Sequence, residues 1–435
     1  MNVLSKWLLA PLVFMLSQSL FANSFKTEKW QTANGARVVF YQAMEVPILY
    51  TGLAFAAGSA YEGSQYGLST LTASLFNQGS RGKDANQTAE DLANTGAQYT
   101  NEVSRDMVML SLKTLTQPEE LQKSIDTFAT IINQPDFPED AFNREKSQQL
   151  LAIEQTKEIP EDLANQLFFQ KLYQNHPYGH PINGTKESVT ALKRADLIRF
   201  YQRYFVASNL VIVLVGAIDS KEAHHIADKL AANLPKGNKA PPIPEANLAG
   251  PFERISVSFP SSQTILRIGQ IGITHRDPDF FPLFVGNYIL GGGALVSKLS
   301  LEVREKRGLT YGVTSQFMPM PGKGPFVISL STRNKEAPTA LRVTMDTLAS
   351  YLNEGPSEAE LVAAKHYLTG NFPLSLSSNA SIANLLIKVT FYQLPEDYLD
   401  SYLARINAVT STEIKHAFQK KLHINDMLIL SVGKP

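Results

Sequence analysis

The chain contains no cysteine. That excludes disulfide staples, thiolate metal sites, a thiol nucleophile and a lipid-modified N-terminal cysteine. It carries no net charge either: 40 Lys+Arg stand against 40 Asp+Glu, so no overall field gathers nucleic acid or an anionic membrane. Charged residues are only 18% against 44% hydrophobic, which excludes general disorder. At roughly 100–200 residues per domain, 435 residues predict two or more domains, each with its own core.

Met1 to Ala22 reads as a signal peptide: Lys6 in a short basic region, an apolar stretch from Trp7 to Leu16, and a small residue at a cut after Ala22. The apolar part is shorter than the ~20 residues of a membrane span. An uncleaved anchor is the alternative, Leu20 being an acceptable residue three before the junction. Removing Lys6 leaves 39 bases against 40 acids. No later segment is long and apolar enough to span a bilayer, so the mature chain is expected to be soluble and exported.

Two halves of similar layout follow, expected over residues 23–234 and 251–435 with a linker over 235–250. Val38 to Tyr41 and Ile48 to Ala57 read as strands, Gly67 to Phe76 and Gln87 to Asn94 as helices, and Glu102 to Leu115 as strand-like alternation. Helical patterns fill Pro118 to Phe205. A buried strand, Asn209 to Gly216, and a helix, Ser220 to Leu234, close the half. Pro235 to Pro244 holds four prolines, which argues against regular structure. Ile265 to Gly269 then echoes Ile48 to Gly52. Thr412 to Gln419 leading to Asn425 to Gly433 mirrors Ala195 to Gln202 leading to Asn209 to Gly216. The offset of about 217 residues suggests a duplicated α+β domain, each half a mixed β-sheet packed with helices.

A zinc hydrolase needs three nitrogen or oxygen ligands, an open position for water and a base. None of the eight histidines offers the helical pair with an intervening glutamate. His224 and His225 are adjacent and diverge on a helix. His176 and His180 sit in His-Pro-Tyr-Gly-His, where Pro177 and Gly179 oppose a helix and no acid intervenes. There is no Gly-x-Ser-x-Gly elbow, and Gly291 to Gly293 lacks the rest of a phosphate loop. Leu299 to Gly312 reads as a helix stopped at Gly308 and a strand from Leu309. Arg304 and Tyr311 within it are either surface groups or two donors able to stabilise a carbonyl oxygen gaining negative charge.

Gly67 to Gly79 resembles the zinc-motif helix of the pitrilysin/insulinase peptidases, which include the mitochondrial processing peptidases. Thr88 to Ala93 with Gly96, His176 to Gly179 with Gly184-Thr185, Leu290 to Gly293 and Arg304 to Tyr311 extend the resemblance over nearly the whole mature chain. Active members carry His-x-x-Glu-His where this chain has Thr70, Ala73 and Ser74, and the third ligand's position falls at Ala152. The resemblance therefore implies no metal in this chain and zinc in a partner. It implies a zinc-free subunit of an exported, periplasmic heterodimeric peptidase, with Arg304 and Tyr311 lent to the partner's composite site. Gln98 to Val103 (Gln98, Tyr99, Thr100, Asn101, Glu102, Val103) matches the strand that holds an extended, unfolded peptide, although Thr100-Asn101 replaces the usual Asn-Ala. A peptide-binding or assembly protein with no proteolytic role is the alternative.

Overall fold

The computed structural model describes residues 26–247 and 254–434. The expected leader and residues 248–253 lie outside them. In the first half β1 (Thr27–Gln31), β2 (Arg37–Gln42) and β3 (Ile48–Phe55) precede α1 (Leu68–Ser74). A two-residue hairpin follows, β4 (Gly79–Ser80) and β5 (Lys83–Asp84), and then α2 (Ala85–Asn94). Next come β6 (Gln98–Val103), β7 (Val108–Leu115), α3 (Pro118–Asn133), α4 (Glu139–Glu158) and α5 (Pro160–Tyr173). The half closes with α6 (Lys186–Ala191), α7 (Arg194–Tyr204), β8 (Leu210–Gly216) and α8 (Ser220–Ala231). Glu102 to Leu115 is thus two strands rather than one. Ser104 to Met107 turns the chain back, the Ser104 hydroxyl accepting from the backbone N–H groups of Asp106 and Met107.

The second half has β9 (Arg254–Ser258), β10 (Gln263–Ile271), α9 (Phe280–Asn287), β11 (Thr310–Phe317) and β12 (Pro325–Arg333). After them come α10 (Ala337–Glu354), α11 (Glu358–Asn371), α12 (Asn379–Phe391), α13 (Tyr398–Ala408), α14 (Ser411–Lys421) and β13 (Leu428–Gly433). The strand orders are β1-β2-β8-β3-β7-β6 and β11-β12-β10-β13-β9. Read from the other edge, the second sheet matches the first without β1. Each has a single parallel pair at the equivalent place, β2 with β8 and β9 with β13. Arg37 faces Val211 in one and Arg254 faces Ile429 in the other.

β8 is buried along its whole length. One face lies on the first half's own core, with Leu210, Ile212 and Leu214. The other face, with Val211, Val213 and Val215, is covered by Ile382, Ala383, Leu386 and Ile387 of α12, a helix of the second half. The reciprocal contact is made by α5 of the first half. Its Ala164, Phe168 and Leu172 cover Ile265, Leu430 and Val432 of the second sheet. The halves are clasped by exchanged helices, so β8, covered on both faces, can be a continuous apolar run. Buried polar groups on β10 are satisfied: Arg267 Nε donates to Asn165 Oδ1 at 2.8 Å, and Gln270 Nε2 donates to the Lys421 carbonyl at 2.9 Å. Among the described residues no helix is long and apolar enough to cross a membrane.

Candidate functional site

α1 is short and held from all sides. Leu68 and Leu71, with Leu75 just beyond its end, point into the first core at helical spacing. Gly67 enters it with φ +88°, in the left-handed region that suits glycine. The buried Glu62 carboxylate accepts from Gly67 N at 2.8 Å and Ser69 N at 2.7 Å, satisfying N–H groups at the helix start. Burial holds the Glu62 carboxyl well above its ordinary range, with the two N–H groups opposing. His180 Nδ1 lies 3.8 Å from it, and the His180 ring stacks on Tyr66. α4 packs alongside, and its Gln149 Nε2 donates to the carbonyls of Gly67 and Asn183.

The four expected degenerate positions lie on these two packed helices, and their donor set does not fit zinc. Thr70 Oγ1 donates to the Ile182 carbonyl at 3.0 Å, and Ser74 Oγ to the Leu71 carbonyl at 3.1 Å. Ala73 is 1% exposed, and Ala152, one turn beyond Gln149, presents only a methyl. Zinc is held by imidazole, thiolate or carboxylate, and none of the three stands at these positions. Among the described residues no group of three His, Asp or Glu is placed to hold a metal ion.

β6 is the outer strand of its sheet, next to α1. Gln98, Thr100, Asn101 and Glu102 are exposed. Tyr99 packs its ring edge-on to Phe128 in the core, and Val103 is half-buried. Asn101 Nδ2 donates to the Ala73 carbonyl at 2.9 Å, which ties the strand to α1. Thr100 Oγ1 lies 3.1 Å from Ser111 Oγ on β7. A free strand edge beside the helix is a template for an added extended chain.

Arg304 and Tyr311 sit at the corresponding edge of the second sheet. Arg304 lies in a wide helical turn, Ser300–Glu305, with i→i+5 geometry packed on β11. Gly308, φ +59°, ends that segment as the sequence suggests. Arg304 Nη1 donates to Glu305 Oε1 at 2.7 Å. Tyr311 is 88% exposed at an irregularity in the β11–β12 pairing between Thr310 and Val313. No hydrogen bond or ion pair among the described residues joins either to α1 or β6. The degenerate zinc-helix positions and the Arg304/Tyr311 pair thus lie at the free edges of different sheets.

A buried carboxyl that joins the halves was not visible in the sequence. Asp106, in the β6–β7 turn, is 3% exposed. It accepts from the Tyr178 hydroxyl at 2.7 Å and from the Tyr392 hydroxyl of α12's end at 3.1 Å, so one carboxylate joins both halves. Burial pushes it up to about 6, against the two hydroxyls and Arg105. Arg105 lies over the Phe169 ring at 3.7 Å, and its Nε donates to the Tyr178 carbonyl. Tyr178 belongs to the His-Pro-Tyr-Gly segment, whose hydroxyl also accepts from Gly322 N at 3.1 Å. His176 Nε2 lies 2.9 Å from the Pro244 carbonyl. That segment is therefore a structural tie between the halves and the connection.

Two similar α+β halves, a peptidase-type helix with no zinc donor at its four degenerate positions and two free sheet edges define a peptidase-like protein. Residues 37–186 match the family model for insulinase (peptidase family M16), and residues 191–368 match the peptidase M16 inactive domain. The crystal structure of a peptidase M16 inactive domain from Pseudomonas fluorescens is 38% identical, with TM-score 0.90 over 94% of this chain and 98% of that one. The chain belongs to the pitrilysin/insulinase (M16) family. Curated relatives carry both kinds of description. A non-peptidase homolog, YmxG, of Helicobacter pylori is 26% identical over 93% of each chain. An uncharacterized zinc protease, YmxG, of Bacillus subtilis is 25% identical over 88% of this chain and 92% of its own length.

Proposed function

We propose that this chain is the zinc-free subunit of an exported, periplasmic two-component zinc peptidase. The observation that carries this reading is a split retention. The ligand positions Thr70, Ala73, Ser74 and Ala152 hold no zinc donor, while Arg304 and the exposed Tyr311 remain on the second sheet's edge. In this reading the partner holds zinc and activates water. Tyr311 and Arg304 donate to the carbonyl oxygen as it becomes an oxyanion, and β6 extends the surface on which an unfolded peptide lies as an added strand.

The test assays peptide cleavage by this chain alone, by a zinc-bearing family member of the same source alone, and by the mixture. The mixture is expected to cleave fastest, and Arg304→Ala or Tyr311→Phe to lower its turnover by about 10²–10³. Full turnover with Arg304→Ala would remove the catalytic role. The similarity to a protein named a non-peptidase homolog supports a second reading, a peptide-binding or assembly protein with no proteolytic role. A peptide library bound by the chain but never cut in any mixture would select it.

A further inference from the structure

A cleft of about 540 Å³ opens where the two halves meet their connection, away from α1 and both free sheet edges. Three cationic side chains line it, one from each part: Arg37 from β2, Lys239 from the connection and Arg276 from the segment after β10. No aspartate or glutamate lines it. Among the described residues none of the three has an ion-pair partner. Arg37 is half-buried, its Nη1 donating to the Thr390 carbonyl at 2.8 Å, while Lys239 and Arg276 are exposed at the rim. Burial holds the Arg37 guanidinium below its ordinary range. Burial, with the Lys388 charge adding to it, depresses His275 to about 3, so the imidazole there is neutral. The Asp106 carboxylate, behind Tyr392, already receives two hydroxyls.

Opposite the cations the wall is apolar. Pro241, Pro242 and Phe391 line it, and the Tyr392 ring is stacked on His275 at 3.7 Å. Cations without ion-pair partners that line one acid-free cleft repel, and a bound anion relieves that repulsion. Guanidinium groups favour planar or tetrahedral oxyanions, which they hold by two parallel N–H bonds. We infer that this cleft binds a small organic anion, a carboxylate or phosphate head group on a short apolar body. The head group lies among Arg37, Lys239 and Arg276, and the body lies on the proline and aromatic wall. Because the lining comes from both halves and the connection, an occupant would also hold the halves together.

The test titrates the full mature chain with phenyl phosphate, benzoate and the neutral benzyl alcohol by calorimetry, and records the thermal unfolding midpoint with each. At least one anion is expected to bind at one site per chain and to raise the midpoint, with benzyl alcohol doing neither. Preference for phenyl phosphate or for benzoate identifies the head group. The double variant Arg276→Gln/Lys239→Gln removes two exposed side chains that make no hydrogen bond or ion pair among the described residues. It is expected to weaken binding by about tenfold or more, while Arg342→Gln on α10 leaves it unchanged. Binding should also weaken as salt is raised. Absence of binding by both anions, equal binding of benzyl alcohol, or an unchanged affinity in the double variant would each overturn the inference.

Discussion

Replacing Asp106 with asparagine tests the buried tie between the halves. The carboxyl's usual value is 3.8, and burial lifts it to about 6 in the folded chain. A group held about two units above its unfolded value binds protons more readily when folded, so the folded state gains stability on the acid side. That contribution is fully present below about pH 4, declines as the pH rises through the folded value near 6, and is gone above it. Two units correspond to about 3 kcal/mol. Asparagine is neutral throughout, so its Oδ1 still accepts from Tyr178 while its N–H₂ donates to the Tyr392 oxygen. Titration of every other carboxylate is common to both proteins and cancels in the comparison. Unfolding by urea, followed by circular dichroism between about pH 4 and pH 7.5, should therefore show Asp106→Asn gaining on the parent by about 3 kcal/mol as pH rises. A constant offset between the two across that range would refute the assignment of a proton to this buried site.

The remaining expectations concern the fold and the empty ligand positions. Phe168→Ala on α5 and Ile387→Ala on α12 should each cost about 2–5 kcal/mol, because both side chains are buried against the opposite half's sheet. Intact stability in either variant, measured by urea unfolding, would contradict the exchange. Gly184→Ala should cost about 3 kcal/mol or more: φ is +75°, and the new methyl would stand 2.4 Å from the Tyr66 carbonyl oxygen. A fall in melting midpoint no larger than that of a surface substitution would argue against this backbone conformation. Zinc added to the purified chain should leave its melting midpoint unmoved. A rise that Thr70→Val and Ser74→Ala abolish would show that the α1 hydroxyls are metal ligands after all.

Much of the architecture was legible because burial on both faces leaves an unambiguous pattern. Leu210 to Gly216 has no polar side chain, and the structure puts it between its own core and α12. The repeat of Ile48 to Gly52 at Ile265 to Gly269 was visible as short similar strings, and it extends to matching strand order. Which helix covers which sheet was not legible. α5 and α12 carry apolar faces that fit either half, and choosing between them needs the spatial path of the chain. The β6–β7 turn was missed because Ser104 to Met107 carries no glycine or proline to mark it. Asp106 could not be singled out for a similar reason: an Arg-Asp pair in a turn is ordinarily exposed. Only the arrival of Tyr178 and Tyr392, 72 and 286 residues away in sequence, closes over it. The degenerate positions were readable by residue type alone, since a methyl or a hydroxyl at each is enough to show that imidazole and carboxylate are missing.

The way α1 accommodates those residues explains how the fold persists without a metal. Imidazoles and carboxylates gathered on one ion would be left unsatisfied, and costly, if the ion alone were removed. Here the replacements need nothing from an ion. Thr70 and Ser74 donate to backbone carbonyls, Asn101 occupies the Ala73 carbonyl from β6, and Glu62 satisfies the N–H groups at the helix start. Leu68 and Leu71 anchor the helix in the core whatever stands on its other face. The same contacts hold β6 beside the helix, so the edge proposed to receive a peptide depends on packing and hydrogen bonds rather than on coordination. A half organised this way can lose hydrolysis without losing the surface that would present a chain to a partner's zinc.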